Sequence, residues 1–154
     1  MALKAFSGLC IALSLAVVGC KQPGPQGGAR LKTMPVQGIV HVDGEPAKGV
    51  TVTFHVEPGK SKMENNAITV TDENGAFFAS TYVDKDGLPE GEYRLLFKWP
   101  QIQIGDKRPD KLKGAYNNPQ TSEVKLTVED GTPVDLGVIE LFTKAKSKSA
   151  VKGG

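Results

Sequence analysis

The chain has 154 residues, of which 39% are hydrophobic and 23% are charged, so it is expected to form one globular domain with appendages rather than a membrane bundle or a disordered chain. Its net charge of +2 conceals an acidic body, because residues 36–142 carry 11 Lys and Arg against 17 Asp and Glu, a balance of −6. A body of this kind lacks a basic surface with interleaved aromatic residues, so nucleic acid is not an expected partner.

Residues 1–19 have the layout of a secretory signal, in which Lys4 precedes the ten-residue apolar run Leu9–Val18. Ten helical residues span about 15 Å, roughly half of a bilayer's hydrocarbon core, so the run is too short for an ordinary transmembrane helix. Gly19 and Cys20 complete the stretch "VVGC", which resembles the lipobox of bacterial lipoproteins. This resemblance implies cleavage between Gly19 and Cys20 and attachment of a diacylglycerol to the Cys20 sulfur.

Cys20 has two alternative interpretations, a buried core thiol and the end of a plain cleaved signal without lipid. The targeting segment before it argues against a core thiol. The other cysteine, Cys10, lies inside the apolar run, so no disulfide framework, redox pair or thiolate metal site is expected. The resemblance also implies acylation of the new amine, and two or three acyl chains would give a long-lived membrane anchor. Lys21, in place of an aspartate, favours the outer membrane of a bacterial cell envelope, with the body facing the periplasm or the cell exterior.

Two appendages are predicted on either side of the body. Residues 20–35 are interpreted as the lipidated cysteine and a flexible linker, because they are rich in proline and glycine and show no apolar periodicity. Residues 143–154 are predicted to form a basic, disordered tail. Its four lysines could contact anionic lipid or cell-wall polymer, or they could be solvated without a partner.

Between the appendages the apolar residues alternate with a period of two, which is typical of β-strands. The pattern, with Gly75 in a tight turn and Gly137 at a predicted bulge, indicates a seven-stranded antiparallel β-sandwich over residues 36–142. The predicted strands are Val36–Val42, Val50–Val56, Ala67–Thr71, Ala76–Ser80, Glu92–Trp99, Thr121–Val128 and Val134–Phe142.

Three groups of turn and core residues recur in a characteristic order. They are Gly38, Val40, Asp43, Gly44, Pro46, Gly49, Val50 and Val52, then Thr71, Asp72, Gly75 and Phe77, then Pro89, Gly91 and Tyr93. This order resembles the carboxypeptidase-regulatory-like, transthyretin-like domains, and it implies a Greek-key sandwich like theirs. Such domains serve as folding, spacing or binding modules. Because the matching residues form turns and core, the resemblance names no ligand.

Two sets of side chains could suggest a metal site. His41 and His55 are placed on strands that are expected to be adjacent, but a two-histidine site needs a third ligand that the spacing does not provide. The turn Asp84–Gly87, with Glu90 and Glu92, could suggest calcium, but it lacks the spacing of an EF-hand, so a charged turn is the favoured interpretation. No metal and no cofactor are therefore expected.

The long segment 100–120 is the best candidate for a ligand-binding loop. Its candidate residues are Arg108, Tyr116, Asn117 and Asn118. Tyr116 could stack on a sugar, pack against a peptide, or simply fix the loop to the sandwich.

The sequence contains no recognisable catalytic set, so the first interpretation is a non-enzymatic, lipid-anchored binding or structural module. The second is an accessory domain that captures an envelope protein or a polysaccharide through the loop 100–120. The third is a transthyretin-like hydrolase, which would need polar and basic residues to converge at a subunit interface.

Overall fold

The computed structural model describes residues 30–101 and 109–144, and every regular element within those ranges is a strand. The strands are β1 Thr33–Met34, β2 Val36–Val42, β3 Glu45–Pro46, β4 Thr51–Ser61, β5 Ala67–Val70, β6 Ala76–Phe78, β7 Leu88–Pro89, β8 Gly91–Lys98, β9 Lys125–Val128 and β10 Val134–Leu141. No helix that could cross a membrane occurs within these residues. The predictions for the signal, Gly19, Cys20, Arg108 and residues 145–154 lie outside the described residues.

The strands form two four-stranded sheets and one short ribbon. The first sheet has the order β10–β2–β3, with β6 also paired to β2, and the second has the order β5–β4–β8–β9. The ribbon joins β1 to β7. The predicted all-β sandwich is therefore confirmed, and each of the seven predicted strands corresponds to an observed one. The additional strands β1, β3 and β7 have two residues each, too few to show an alternating pattern.

One pairing differs from the antiparallel prediction. β10 runs parallel to β2, from Val134 opposite Val36 to Leu141 opposite Val42, with one register shift between Asp135 and Val138. The reason is the direction of the chain, because β9 ends at the same end of the sandwich where β2 begins. The short turn after β9 therefore starts β10 beside the start of β2.

The core lies between the two sheets and follows the predicted alternation. Val40 on β2, Phe54 on β4 and Leu95 on β8 are fully buried. The rings of Phe54 and Phe77 bring the two sheets into contact, with centroids 6.0 Å apart. Burying each such side chain contributes about 1.5–3 kcal/mol, so this shared interior is the main source of the sandwich's stability.

The N-terminal boundary of the body requires a correction. Met34 lies within the linker predicted over residues 20–35, yet its side chain is only 3% exposed and it pairs with Leu88. Gly87 makes this close approach possible, because a Cβ at that position would overlap the Met34 carbonyl oxygen. The isolated apolar residues Leu31 and Met34 do not alternate as strand residues do, which is why composition alone assigned Met34 to the linker.

Both predicted special glycines take the expected roles. Gly75 has a φ of +73° in the turn between β5 and β6, and its amide donates to the Asp72 carbonyl at 3.1 Å. At Gly137 the register of β10 shifts between Asp135 and Val138, as a bulge requires. The Asp135 carboxylate accepts the Gly137 N–H at 2.8 Å, which fixes the bulge on an edge strand.

The loops lie at two ends of the sandwich, which are called proximal and distal by their position relative to the start of the described chain. The proximal end, where the described chain begins, contains β1 and the loops 79–87 and 129–133. The distal end contains the turn 43–44 and the segment 109–120. β8 runs from the proximal end at Gly91 to the distal end at Lys98.

Candidate functional site

A groove of about 470 Å³ opens in the distal half of the sandwich, between the edges of the two sheets. Its walls come from β8, from the segment 112–124 and from the end of β10. The lining residues are Leu95, Phe97, Leu112, Lys113, Ala115, Tyr116, Thr121, Ser122, Glu123, Val124, Glu140, Leu141, Phe142 and Thr143. Apolar side chains therefore form much of its surface, with carboxylates and one lysine among them.

Asp110 organises the segment that forms one wall. Its Oδ1 accepts the N–H groups of Trp99 at 2.8 Å and Leu112 at 3.0 Å, and its Oδ2 accepts that of Gly114 at 3.0 Å. Leu112 is buried in the core as a result. One carboxylate that takes three backbone donors holds an otherwise irregular segment against the sandwich.

The groove exists because β9 is shorter than β8. β9 pairs only with residues 91–94 of β8, and beyond that point irregular chain covers the edge. The Leu95 amide donates to the Val124 carbonyl at 2.9 Å, and the Phe97 amide donates to the Tyr116 carbonyl at 2.9 Å. The segment at Val124 and the segment at Tyr116 cover different parts of this edge, and the groove is the space between them.

Tyr116 fixes the loop to the sandwich. Its hydroxyl accepts the Phe142 N–H at 3.0 Å, and its ring packs against the core. Asn117 and Asn118 are exposed and do not line the groove, and Asn118 instead accepts the Gln120 N–H at 2.9 Å. Of the predicted loop residues that the structure describes, Tyr116 alone reaches the groove.

The expected proximity of the two histidines is wrong. His41 is on β2 and His55 is on β4, and these strands belong to different sheets. His41 instead lies 3.8 Å from Glu140, measured between Nδ1 and Oε2. The other oxygen of Glu140 accepts the Gly44 N–H at 2.6 Å, so this carboxylate already holds a turn.

The acidic residues of the turn 84–87, and Glu90 and Glu92 after it, have separate partners. Asp86 accepts backbone N–H groups of its own loop, whereas Glu90 pairs with Lys62 at 2.6 Å and Glu92 with Lys60 at 2.9 Å. The hydrogen bond from Lys60 to Glu92 raises the pKa of that lysine. Among the described residues, no group of three histidine, cysteine or acidic side chains could hold a metal ion.

The groove is suited to binding an extended apolar or mixed segment. The Ser122 hydroxyl in its wall donates to the Leu95 carbonyl at 2.7 Å and so acts as a structural bridge. The described lining residues include no histidine or cysteine that would serve as a base or a thiolate. Sequence reasoning missed most of this lining, because Leu95, Val124 and Phe142 each read as an ordinary strand residue.

The two packed sheets define the chain as an all-β sandwich protein. No family model matches the chain, and no curated protein matches it. Among solved structures it is similar to the major pilin subunit of Bacillus cereus, with 16% identity and a TM-score of 0.44 over 71% of this chain and 30% of that one. It is also similar to a DUF3823 family protein from Parabacteroides merdae, with 12% identity and a TM-score of 0.39 over 73% of this chain and 46% of that one.

A third similar structure is the dioxygenase domain of a dioxygenase carbohydrate-binding protein fusion from Streptomyces sp. SirexAA-E. It has 16% identity and a TM-score of 0.39, over 73% of this chain and 82% of that one. The chain thus spans less than half of the pilin subunit and of the DUF3823 protein. Likeness at this distance carries no function from one protein to another.

Proposed function

We propose that this protein is a non-enzymatic β-sandwich module, held on a bacterial envelope membrane by a lipid on Cys20. The observation that carries the proposal is the stretch "LAVVGC", which ends a short apolar run after a basic N-terminus. A thiolate is a suitable nucleophile for lipid transfer, and the small Gly19 leaves room for cleavage of the next bond. Two or three acyl chains anchor a protein far longer than one does.

The start of the described chain supports a short connection between lipid and body. The Leu31 amide donates to the Tyr82 hydroxyl at 3.0 Å, and Lys32 pairs with Asp130 at 2.6 Å. The chain is thus attached to the sandwich from about Arg30 onwards. Nine residues, Lys21–Ala29, separate it from Cys20, and fully extended they reach about 30 Å. The body would therefore stand close to the membrane.

The body's role in this proposal is to bind or to space, as in the transthyretin-like domains that its turn residues resemble. A second candidate function is capture of an envelope protein or a polysaccharide, and the groove favours it. Because the Tyr116 hydroxyl is engaged with Phe142, capture would use the apolar lining of the groove rather than stacking on Tyr116. The hydrolase interpretation has no supporting cluster among the described residues.

Labelling with a radioactive fatty acid in the producing bacterium tests the anchor. We expect label on the unsubstituted protein and on Cys10→Ser, both in the membrane fraction, because Cys10 leaves with the signal. Cys20→Ser should carry no label. Label that persists in Cys20→Ser, or an unsubstituted protein that is soluble and unlabelled, would overturn the proposal.

A further inference from the structure

The loop 79–87 between β6 and β7 presents two adjacent apolar side chains at the proximal end. Tyr82 is 39% exposed and Val83 is 57% exposed. The other exposed large hydrophobic residues of the described chain, Ile68, Val70 and Val138, lie on strands of the two sheets. Tyr82 and Val83 therefore form the exposed apolar tip of a loop, and this pair is named the tip below.

The backbone of the tip is held in place by Asp86. Its carboxylate accepts the N–H groups of Thr81 at 2.6 Å, Tyr82 at 2.9 Å and Val83 at 3.2 Å. The Thr81 hydroxyl also donates to the Gly87 carbonyl at 2.6 Å, which closes the base of the loop. The tip is thus presented by a preorganised loop, so little ordering is needed when it binds.

The tip lies where the chain from Cys20 reaches the sandwich. Leu31 donates to the Tyr82 hydroxyl, and the Arg30 guanidinium lies 5.6 Å from the centre of the Tyr82 ring. Since nine residues separate Arg30 from Cys20, a lipid on Cys20 could lie no more than about 40 Å from Tyr82. A short tether of this kind gives the tip a high effective concentration at the lipid surface, so a small apolar contact is sufficient.

We propose that the tip docks on the bilayer that holds Cys20, with Val83 in the interface and the Tyr82 ring at headgroup level. This inference rests on the proposed lipid anchor. Tyrosine suits the position, because its ring is apolar and its hydroxyl is polar. The sandwich would then stand on the membrane by its proximal end and present the distal groove away from the lipid.

The charged residues around the tip do not favour one kind of binding partner over another. Arg30 and Lys85 are balanced by Asp84 and Asp86, and Lys85 lies over the Phe78 ring at 4.7 Å. The bilayer is favoured by the tether and by the apolar side chains. Docking should consequently differ little between zwitterionic and anionic vesicles.

Tryptophan quenching by brominated lipid tests the docking. The acylated mature protein carries Trp99→Phe, which removes the distal indole, together with either Val83→Trp or the control Val138→Trp. Val138 is 54% exposed, which matches Val83 closely, but it lies on β10. Each protein is reconstituted into vesicles of brominated phosphatidylcholine, with and without phosphatidylglycerol, and flotation reports the anchor. If circular dichroism shows that Val83→Trp is misfolded, Asp84→Trp replaces it.

We expect both proteins to float with the vesicles and the Val83→Trp emission to be quenched about twofold more than that of Val138→Trp, because the tip would reach the acyl boundary. Equal quenching in floating proteins would overturn the docking and leave the anchor intact. Failure to float would overturn the anchor and, with it, the docking. Emission of Val83→Trp that changes only when envelope proteins are added would assign the tip to a protein partner, against the proposal.

Discussion

Tyr93, at the start of β8, donates its hydroxyl proton to the carbonyl oxygen of Pro89 on β7 at 2.7 Å. The Ser61 hydroxyl donates to the same phenol oxygen at 3.0 Å from the end of β4. One buried phenol therefore links three strands at the proximal end. Because β7 in turn pairs with β1, this contact supports the place where the N-terminal segment joins the sandwich.

Replacement of Tyr93 by phenylalanine should destabilise the protein by about 1–2 kcal/mol, because the Pro89 carbonyl loses its buried donor. Urea unfolding measures this change. Tyr82→Phe is the control, since its hydroxyl accepts only the exposed Leu31 N–H, and it should cost about 0.5 kcal/mol or less. Equal losses in the two variants would contradict the structural role of the Tyr93 hydroxyl.

The stability of the protein should also depend on alkaline pH through this phenol. Burial raises the pKa of Tyr93, an effect that the hydrogen bond from Ser61 partly offsets. Above about pH 10 the unfolded chain releases the Tyr93 proton before the folded chain does, so the free energy of unfolding should fall as pH rises. Urea midpoints between about pH 9 and 11 should show a smaller fall for Tyr93→Phe than for the unsubstituted protein. Identical slopes would disprove the linkage.

Gly87→Ala should detach β1 from β7, because the new Cβ would overlap the Met34 carbonyl oxygen. The expected cost is about 1–2 kcal/mol for the backbone conformation plus about 1.5–3 kcal/mol for the lost burial of Met34. Gly131→Ala is a matched control, since its φ of +77° is similar and no atom lies within 4 Å of the new Cβ. Hydrogen exchange at the Met34 amide should accelerate in Gly87→Ala alone. Unchanged exchange there would contradict the steric account.

The ion pair between Arg94 and Glu57 should contribute more than the pairs at the surface. Both of its side chains are half-buried, whereas Lys48 and Glu73 pair in an exposed position. Glu57→Gln should cost about 1 kcal/mol or more, because Arg94 is left half-buried beside a neutral amide. Glu73→Gln should leave the urea midpoint unchanged. A Glu57→Gln variant as stable as Glu73→Gln would show that the half-buried pair contributes nothing.

A strand of this fold is predictable from sequence where apolar and polar residues alternate, because the alternation shows which side chains face the core. Val52 and Phe54 alternate with threonines, and both are fully buried as the pattern indicates. The two-residue strand β1 gives no such pattern, so Met34 becomes recognisable as core only through its distant partner Leu88. The direction of β10 is unpredictable for the same reason, because its parallel pairing with β2 depends on where β9 ends in the folded chain.

The candidate site was less predictable, because its geometry depends on contacts that are distant in the sequence. The hydrogen bond between Tyr116 and Phe142 joins a loop to the end of β10 across 26 residues. The sequence identified Tyr116 as a candidate but could not distinguish a ligand contact from a structural one. His41 and His55 illustrate the same limit, since successive strands of a sandwich can belong to different sheets.

Mass spectrometry of the N-terminal peptide of the mature protein, purified from the membrane fraction of its producing bacterium, is the decisive test of the proposed anchor. We expect a peptide that begins at Cys20 and carries a diacylglycerol on its sulfur. A mature chain that begins elsewhere, or that begins at Cys20 with a free thiol, would show that Cys20 does not anchor the protein.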